Sequence, residues 1–250
     1  MLILEDTRQQ ECKHEEKHKY FRSVGVHWNR TALYCGDYTL PANQTICIDT
    51  KKDIQELIGD IQIRQMSKRD VHASLIEIFD KNGLDYDFAD ETYHAICDDD
   101  VDRFAEREIN ELCYKHNIPE RIISEFQKLY IKRHGFFHRG LKRAQNSKIK
   151  LYILVANNEG VKDLKDLFSW VNPRSQIMVS SGEIIGYWKG GKPRRRRIPK
   201  YPKAMQGEQL AKACLTMQSK YGCEFVFCRP DEQGRRILEL LNVEVDYGKE

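Results

Sequence analysis

Residues 150–157, KLYILVAN, are a nearly unbroken apolar run rich in Leu, Ile and Val. A run this short and this apolar reads as a strand buried on both faces. Such strands occupy the middle of a sheet covered by helices, and the flanking periodicities agree with that. Phe136 to Asn146 is helical, Val161 to Trp170 forms a short helix before Asn172-Pro173, and Gly207 to Tyr221 is a helix. A strand from Cys223 to Cys228 and a last helix from Asp231 to Leu241 follow. Alternating strands and helices predict an α/β fold.

The N-terminal part carries shorter elements. Residues 2–4 (LIL) read as a strand running into Glu5 and Asp6, and 11–23 as a surface helix. Three strand candidates follow, Val24 to Leu33, Tyr34 to Leu40 and Thr45 to Ile48. Gly36 and the Pro41-Ala42-Asn43 turn separate the last two, which predicts a meander. A helix starts near Asp53, with Ile54, Leu57, Ile58 and Ile61 on one face. From 62 to 132 the pattern is helical throughout. Val71, Leu75, Ile78 and Phe79 make one stripe, and Ile122, Phe126, Leu129 and Tyr130 another. This predicts a core of 1–61 and 133–250 interrupted by an all-helical insertion at 62–132. The segment 175–203 is expected to be irregular, with a basic loop at 189–203.

Net charge is only +3, so the chain as a whole does not announce a polyanion partner. Lys192 to Lys200 (KPRRRRIPK) does, with six basic residues and no acid. Its arginines, Arg194, Arg195, Arg196 and Arg197, suit phosphate neutralisation without sequence choice. Tyr187 and Trp188 just before them are expected to pack. Eight cysteines without CxxC pairs suit buried thiols in a reducing cytoplasm. No apolar run approaches the roughly 20 residues that cross a bilayer. The opening MLILEDTRQQ turns acidic after three apolar residues, unlike a signal peptide.

The stretch CGDYTLPANQTICIDTKKDIQEL carries the chemistry. Asp37 opens one strand and Asp49 closes the next. Lys51, two residues on, points to the same side of an extended chain as Asp49. Mg²⁺ is commonly held by one or two carboxylates, with waters and substrate oxygens completing its octahedron. A neighbouring lysine orients water and neutralises developing charge. The backbone carbonyl of Thr50 is a third candidate ligand. By spacing alone the trio fits a solvated strand end at a turn better than a metal site.

GDY at 36–38, then an apolar strand and IDTK at 48–51 leading into a helix, resembles the XPF-type nuclease domain of the PD-(D/E)XK superfamily, with its GDY…ERK motif. The opening strand into EDTR (5–8), FFHRGLKRA (136–144) before KLYILVAN, and FVFC before DEQGRRILELL resemble further parts of that family. The resemblance implies a restriction-endonuclease-like core with a mixed central sheet flanked by helices. It implies Mg²⁺, with Mn²⁺ able to substitute, on Asp37 and Asp49, and Lys51 as catalytic residue. DNA would be the substrate, forks, flaps or recombination intermediates among its forms. Asp49 and Thr50 stand where the family has Glu and Arg, and Gln55 stands where it has an acid, between Asp53 and Glu56. No helix-hairpin-helix tandem follows the last helix, so the likeness is to a stand-alone version, expected in the cytoplasm of a bacterial or phage-infected cell.

Asp6 either reaches the metal or caps a helix. Arg139 and Arg143, four apart on one helical face, either contact phosphate or form a solvated face. The acidic patch Asp98-Asp99-Asp100 and Asp102 suits helix capping, and His14 with His18 suits a surface helix better than zinc. The alternative to an enzyme is a non-catalytic DNA-binding or interaction module on the same fold. There the helical insertion would grip a protein partner; a homodimer is the further expectation.

Overall fold

The computed structural model describes residues 1–8, 15–62, 66–97 and 105–243, the side chains of 105–107 excepted. At its centre is a six-stranded mixed sheet. The strands are β1 (Leu2–Asp6), β2 (His27–Thr31), β3 (Tyr38–Leu40), β4 (Asn43–Lys51), β5 (Lys150–Ala156) and, beyond it, a strand at Glu224–Cys228. KLYILVA is β5; it pairs in parallel with β4 on one side and with Glu224–Cys228 on the other. Both its faces are covered, because Leu151, Ile153 and Val155 belong to one core and Leu154 to the other.

Helices α1 (Glu15–Ser23) and a closing helix (Gln233–Leu240) cover one face through Phe21, Ile237 and Leu238. The other face carries α2 (Ile54–Gln62), a helix at Phe136–Asn146, a short one at Leu164–Ser169 and another at Gly207–Tyr221. Between α2 and Phe136 lie α3 (Lys68–Asn82), α4 (Ala89–Cys97), α5 (Ala105–Lys115) and α6 (Glu120–His134). These pack on one another around Leu75, Phe79, Ile109 and Phe126, a core separate from the two on the sheet. Ser67 caps the start of α3 by accepting from the Asp70 N–H, and Gly83 ends it in the left-handed conformation. In chain order the remaining elements are α7 (Phe136–Asn146), α8 (Leu164–Ser169), β6 (Met178–Tyr187), β7 (Pro193–Pro199), α9 (Gly207–Tyr221), β8 (Glu224–Cys228) and α10 (Gln233–Leu240).

Three expectations from the sequence are corrected. The N-terminal strands form a meander only in part: β3 and β4 pair antiparallel across the turn at Pro41-Ala42, but the sheet runs β2-β1-β3-β4-β5-β8. β1 sits between β2 and β3, parallel to the first and antiparallel to the second. The segment 175–203 is not irregular either: β6 and β7 form a two-stranded antiparallel hairpin outside the main sheet. Tyr187 and Trp188 do not pack inward; they are 69% and 61% exposed. The seven cysteines among the described residues are buried free thiols. His14, Asp98 to Asp102 and Cys12 lie outside the described residues. Among those described, no helix is long and apolar enough to cross a membrane.

Candidate active site

Gly36 prepares the site. Its φ of +67° is ordinary for glycine, and a Cβ there would lie 2.9 Å from the Ile48 carbonyl oxygen. That close approach lets the Asp37 N–H donate to Ile48 O at 2.6 Å and seats Asp37 against the end of β4. Its Oδ2 then accepts two hydrogen bonds from Thr50, from the N–H and from the hydroxyl, both 2.7 Å. Thr50 thus serves the site through donors that hold Asp37, a role its spacing did not suggest.

A second support comes from the opposite face of the sheet. Buried Lys17 on α1 donates from Nζ to Thr50 Oγ1 at 3.2 Å. An ammonium only donates, so the threonine hydroxyl proton is left to point at Asp37. Burial lowers the Lys17 pKa, opposed by the negative charges of Asp37 and Glu5.

Asp49 and Lys51 share one side of β4, as alternation predicts. Lys51 Nζ lies 2.9 Å from Asp49 Oδ2 and 2.7 Å from Asp60 Oδ2, with the Phe137 ring 4.9 Å away. Burial pushes the Asp49 carboxyl up to about 6; Lys51 opposes the shift, and Asp37 and Asp60 add to it. For Lys51, burial alone would lower the pKa, but Asp49 and Asp60 outweigh it and the ammonium is held charged.

These groups open on one cavity of about 320 Å³, lined also by Asp6, Arg8, Glu56, Arg139 and Arg143. Asp6 is no helix cap: it ends β1, is buried, and accepts from Arg8 Nε at 2.6 Å. Arg139 and Arg143 are not a solvated face. Both are buried on α7, the Arg139 guanidinium lying 5.2 Å from the Phe136 ring centre and 5.5 Å from that of Tyr130. Arg194 to Arg197 stand on the hairpin and do not line the cavity.

Asp60, Glu56, Arg8 and Lys17 were not placed in the site by sequence reasoning. Glu56 and Asp60 are four apart on α2, so an acidic pair on the helix after Lys51 was the signal for them. Lys17 left none, because its contact crosses the sheet. Gln55 points elsewhere, donating to Asn172 Oδ1 at 2.9 Å. His18 serves packing, stacked 4.2 Å from Trp28 and 3.0 Å from Glu5 Oε2.

Among the described residues, no three Asp, Glu, His or Cys side chains converge as a ready-made metal cage. Zinc would require such a set. Mg²⁺ does not, since one or two carboxylates suffice when waters and substrate oxygens fill the shell. Asp37 and Asp49 meet that need. The burial of Asp49 among like charges is the kind of repulsion that a divalent cation relieves.

Comparison with protein-family models, curated proteins and solved structures gives no match for this chain.

Proposed function

We propose that this protein is a Mg²⁺-dependent endonuclease that hydrolyses DNA phosphodiester bonds on a PD-(D/E)XK fold of the XPF type. One observation carries the reading. Asp37, Asp49 and Lys51 line the same cavity as Arg139 and Arg143, so two carboxylates, an ammonium and two guanidiniums surround one small volume. The mixed sheet, with the motif strands β3 and β4 beside the parallel β5, is compatible with such a core.

Asp37 and Asp49 would hold the ion. Bound there, Mg²⁺ supplies Lewis acidity toward a phosphoryl oxygen and a water of lowered pKa. The chain's own residues do the rest. Thr50 fixes the Asp37 carboxylate, and Lys51, held charged, donates to the attacking water or to the phosphoryl oxygen where charge develops. Asp60 keeps a hold on Lys51 when Asp49 turns to the cation. Arg139 and Arg143 position the phosphate from the facing wall.

The metal centre has a test independent of cleavage. At a Mg²⁺ concentration 100 times its Kd, the wild type is expected to gain about 2.7 kcal/mol of stability. Asp37→Asn and Asp49→Asn are expected to lose that gain. Its pH dependence follows from Asp49. Because the folded carboxyl titrates near 6, above its ordinary value, the neutral form stabilises the metal-free fold at low pH. That contribution fades as pH rises through about 6, where Mg²⁺ binding takes over. Binding must displace a proton below pH 6, so the Mg²⁺-induced rise in Tm shrinks there, with affinity about tenfold weaker one pH unit below the pKa. An equal rise in both variants would sink the two-carboxylate site.

A further inference from the structure

The hairpin is the part of the chain that the catalytic reading leaves unexplained. Nine basic residues and one acid, Glu183, lie between Arg174 and Lys203, in a chain whose net charge is only +3. The chain's excess of positive charge is therefore concentrated on this arm, and the remainder is net negative. Every residue of β7 is exposed, and so are Ile184, Ile185, Tyr187 and Trp188 on and just beyond β6. Neither face of the ribbon is covered, and an isolated two-stranded hairpin is marginal in water. Such a surface is built to be completed by something else.

We propose that the hairpin is a clamp that enters a groove of duplex nucleic acid, so that this protein's substrate is double-stranded where the arm grips it. The inference rests on the nuclease reading only in taking the polyanion to be nucleic acid. Three observations favour a duplex. First, side chains alternate along a strand, so Arg194 and Arg196 project from one face of the ribbon and Arg195 and Arg197 from the other. A ribbon in a groove meets a phosphate wall on each side, whereas a single strand lies along one face. Second, the ends of β6, Met178 and Tyr187, pair with Pro199 and Pro193, so the ribbon runs the seven residues of β7, about 24 Å, enough to lie along about seven base pairs of a duplex at about 3.4 Å each. The major groove, about 12 Å wide, admits a two-stranded ribbon. Third, the ribbon is irregular: its register shifts between Ser180 and Ile184 and again between Ile184 and Gly186, and extra residues of this kind coil a strand pair.

Another copy of the chain is a poorer fit. Pairing two β7 strands would set four consecutive arginines against four others, the arrangement that blunts a sheet edge. At the tip, the Arg194 guanidinium lies 5.3 Å from the centre of the Trp188 ring, which keeps a flat cationic surface facing outward.

The test measures binding in EDTA, by anisotropy, to a labelled 30-base-pair duplex and to each of its single strands over a range of salt. The wild type is expected to prefer the duplex. Replacing Arg194 to Arg197 together with Ser is expected to weaken duplex binding about a hundredfold, and to lower the salt slope by about three to four. Arg194→Ser/Arg196→Ser and Arg195→Ser/Arg197→Ser, one face each, should each lose a comparable part. Since the arm contributes to none of the three buried cores, the variants should keep the wild-type circular dichroism and Tm. Single-strand binding as tight as duplex binding, an effect confined to one face, or no effect of the quadruple change would overturn the clamp. Without cleavage in the readout, the two ideas fail separately: a chain that grips duplex through the arm but never cuts it overturns only the nuclease reading.

Discussion

Lys51→Met is expected to lower the rate of DNA cleavage by on the order of 10³-fold, about 4 kcal/mol of transition-state stabilisation. The size follows from where the ammonium sits. It is buried against Phe137, carries its charge between Asp49 and Asp60, and shares the cavity with Asp37, Arg139 and Arg143. No water-screened lysine elsewhere can substitute for a donor fixed in that position. Methionine keeps most of the side-chain volume, so the loss would be chemical rather than a failure to fold. Duplex binding should survive in this variant, and the Mg²⁺-induced rise in Tm should remain but move to higher pH, because Lys51 no longer lowers the Asp49 pKa. Asp60→Asn is the companion variant, since it keeps the shape but removes the second anion that holds Lys51. It is expected to lower the rate about tenfold and leave Mg²⁺ affinity near its wild-type value. A Lys51→Met protein that cuts within a few fold of the wild type would remove the lysine from the chemistry.

Glu5→Ala carries the largest expected effect on stability, a loss of about 3–5 kcal/mol in urea unfolding. Glu5 lies beside Asp6 on β1 yet faces the other way, fully buried toward α1. There Oε2 lies 3.0 Å from His18 Nε2, and Oε1 accepts from the Tyr38 hydroxyl at 3.4 Å. Burial raises the Tyr38 pKa, with the Glu5 charge adding to it, so the phenol stays neutral and remains a donor. Truncation takes the carboxylate from both groups and opens a void among Ile3, Phe21, Tyr38 and Ile48. Glu5→Gln, which keeps an acceptor oxygen, should cost clearly less. A loss below about 1 kcal/mol for the alanine variant would mean that the buried carboxylate does not hold this face together.

What could be read in the sequence divides along physical lines. β5 declared itself because burial on both faces leaves no polar positions, and α7 and α9 because their apolar spacing is helical. Alternation put Asp49 and Lys51 on one side of a strand end, but the likeness of GDY and IDTK to a nuclease motif is what singled out Asp37, Asp49 and Lys51, which line one cavity. The pairing of β1 with β2 was not, since a parallel partner about 25 residues away leaves no local trace. In the hairpin, Gly182, Gly186 and four successive arginines hide the alternation of apolar and polar residues that marks a strand with one buried face. Both faces of the ribbon are in fact exposed. Arg139 and Arg143 read as a solvated face or a phosphate contact, because a sequence does not say that α7 lies between the cavity and α6. The support Lys17 was invisible because it reaches the site from a helix on the opposite face of the sheet, while Asp60 left only the acidic pair it makes with Glu56 on α2.

The most direct measurement is cleavage of labelled duplex, flap, fork and single-stranded DNA by purified wild type in Mg²⁺, Mn²⁺ or EDTA, beside Asp37→Asn and Asp49→Asn. Cutting that appears with Mg²⁺ or Mn²⁺, vanishes in EDTA and is lost in both variants is the expected result. Intact DNA under every condition, with the wild type folded and bound to it, would contradict the nuclease assignment and leave a nucleic-acid-binding protein on the same scaffold.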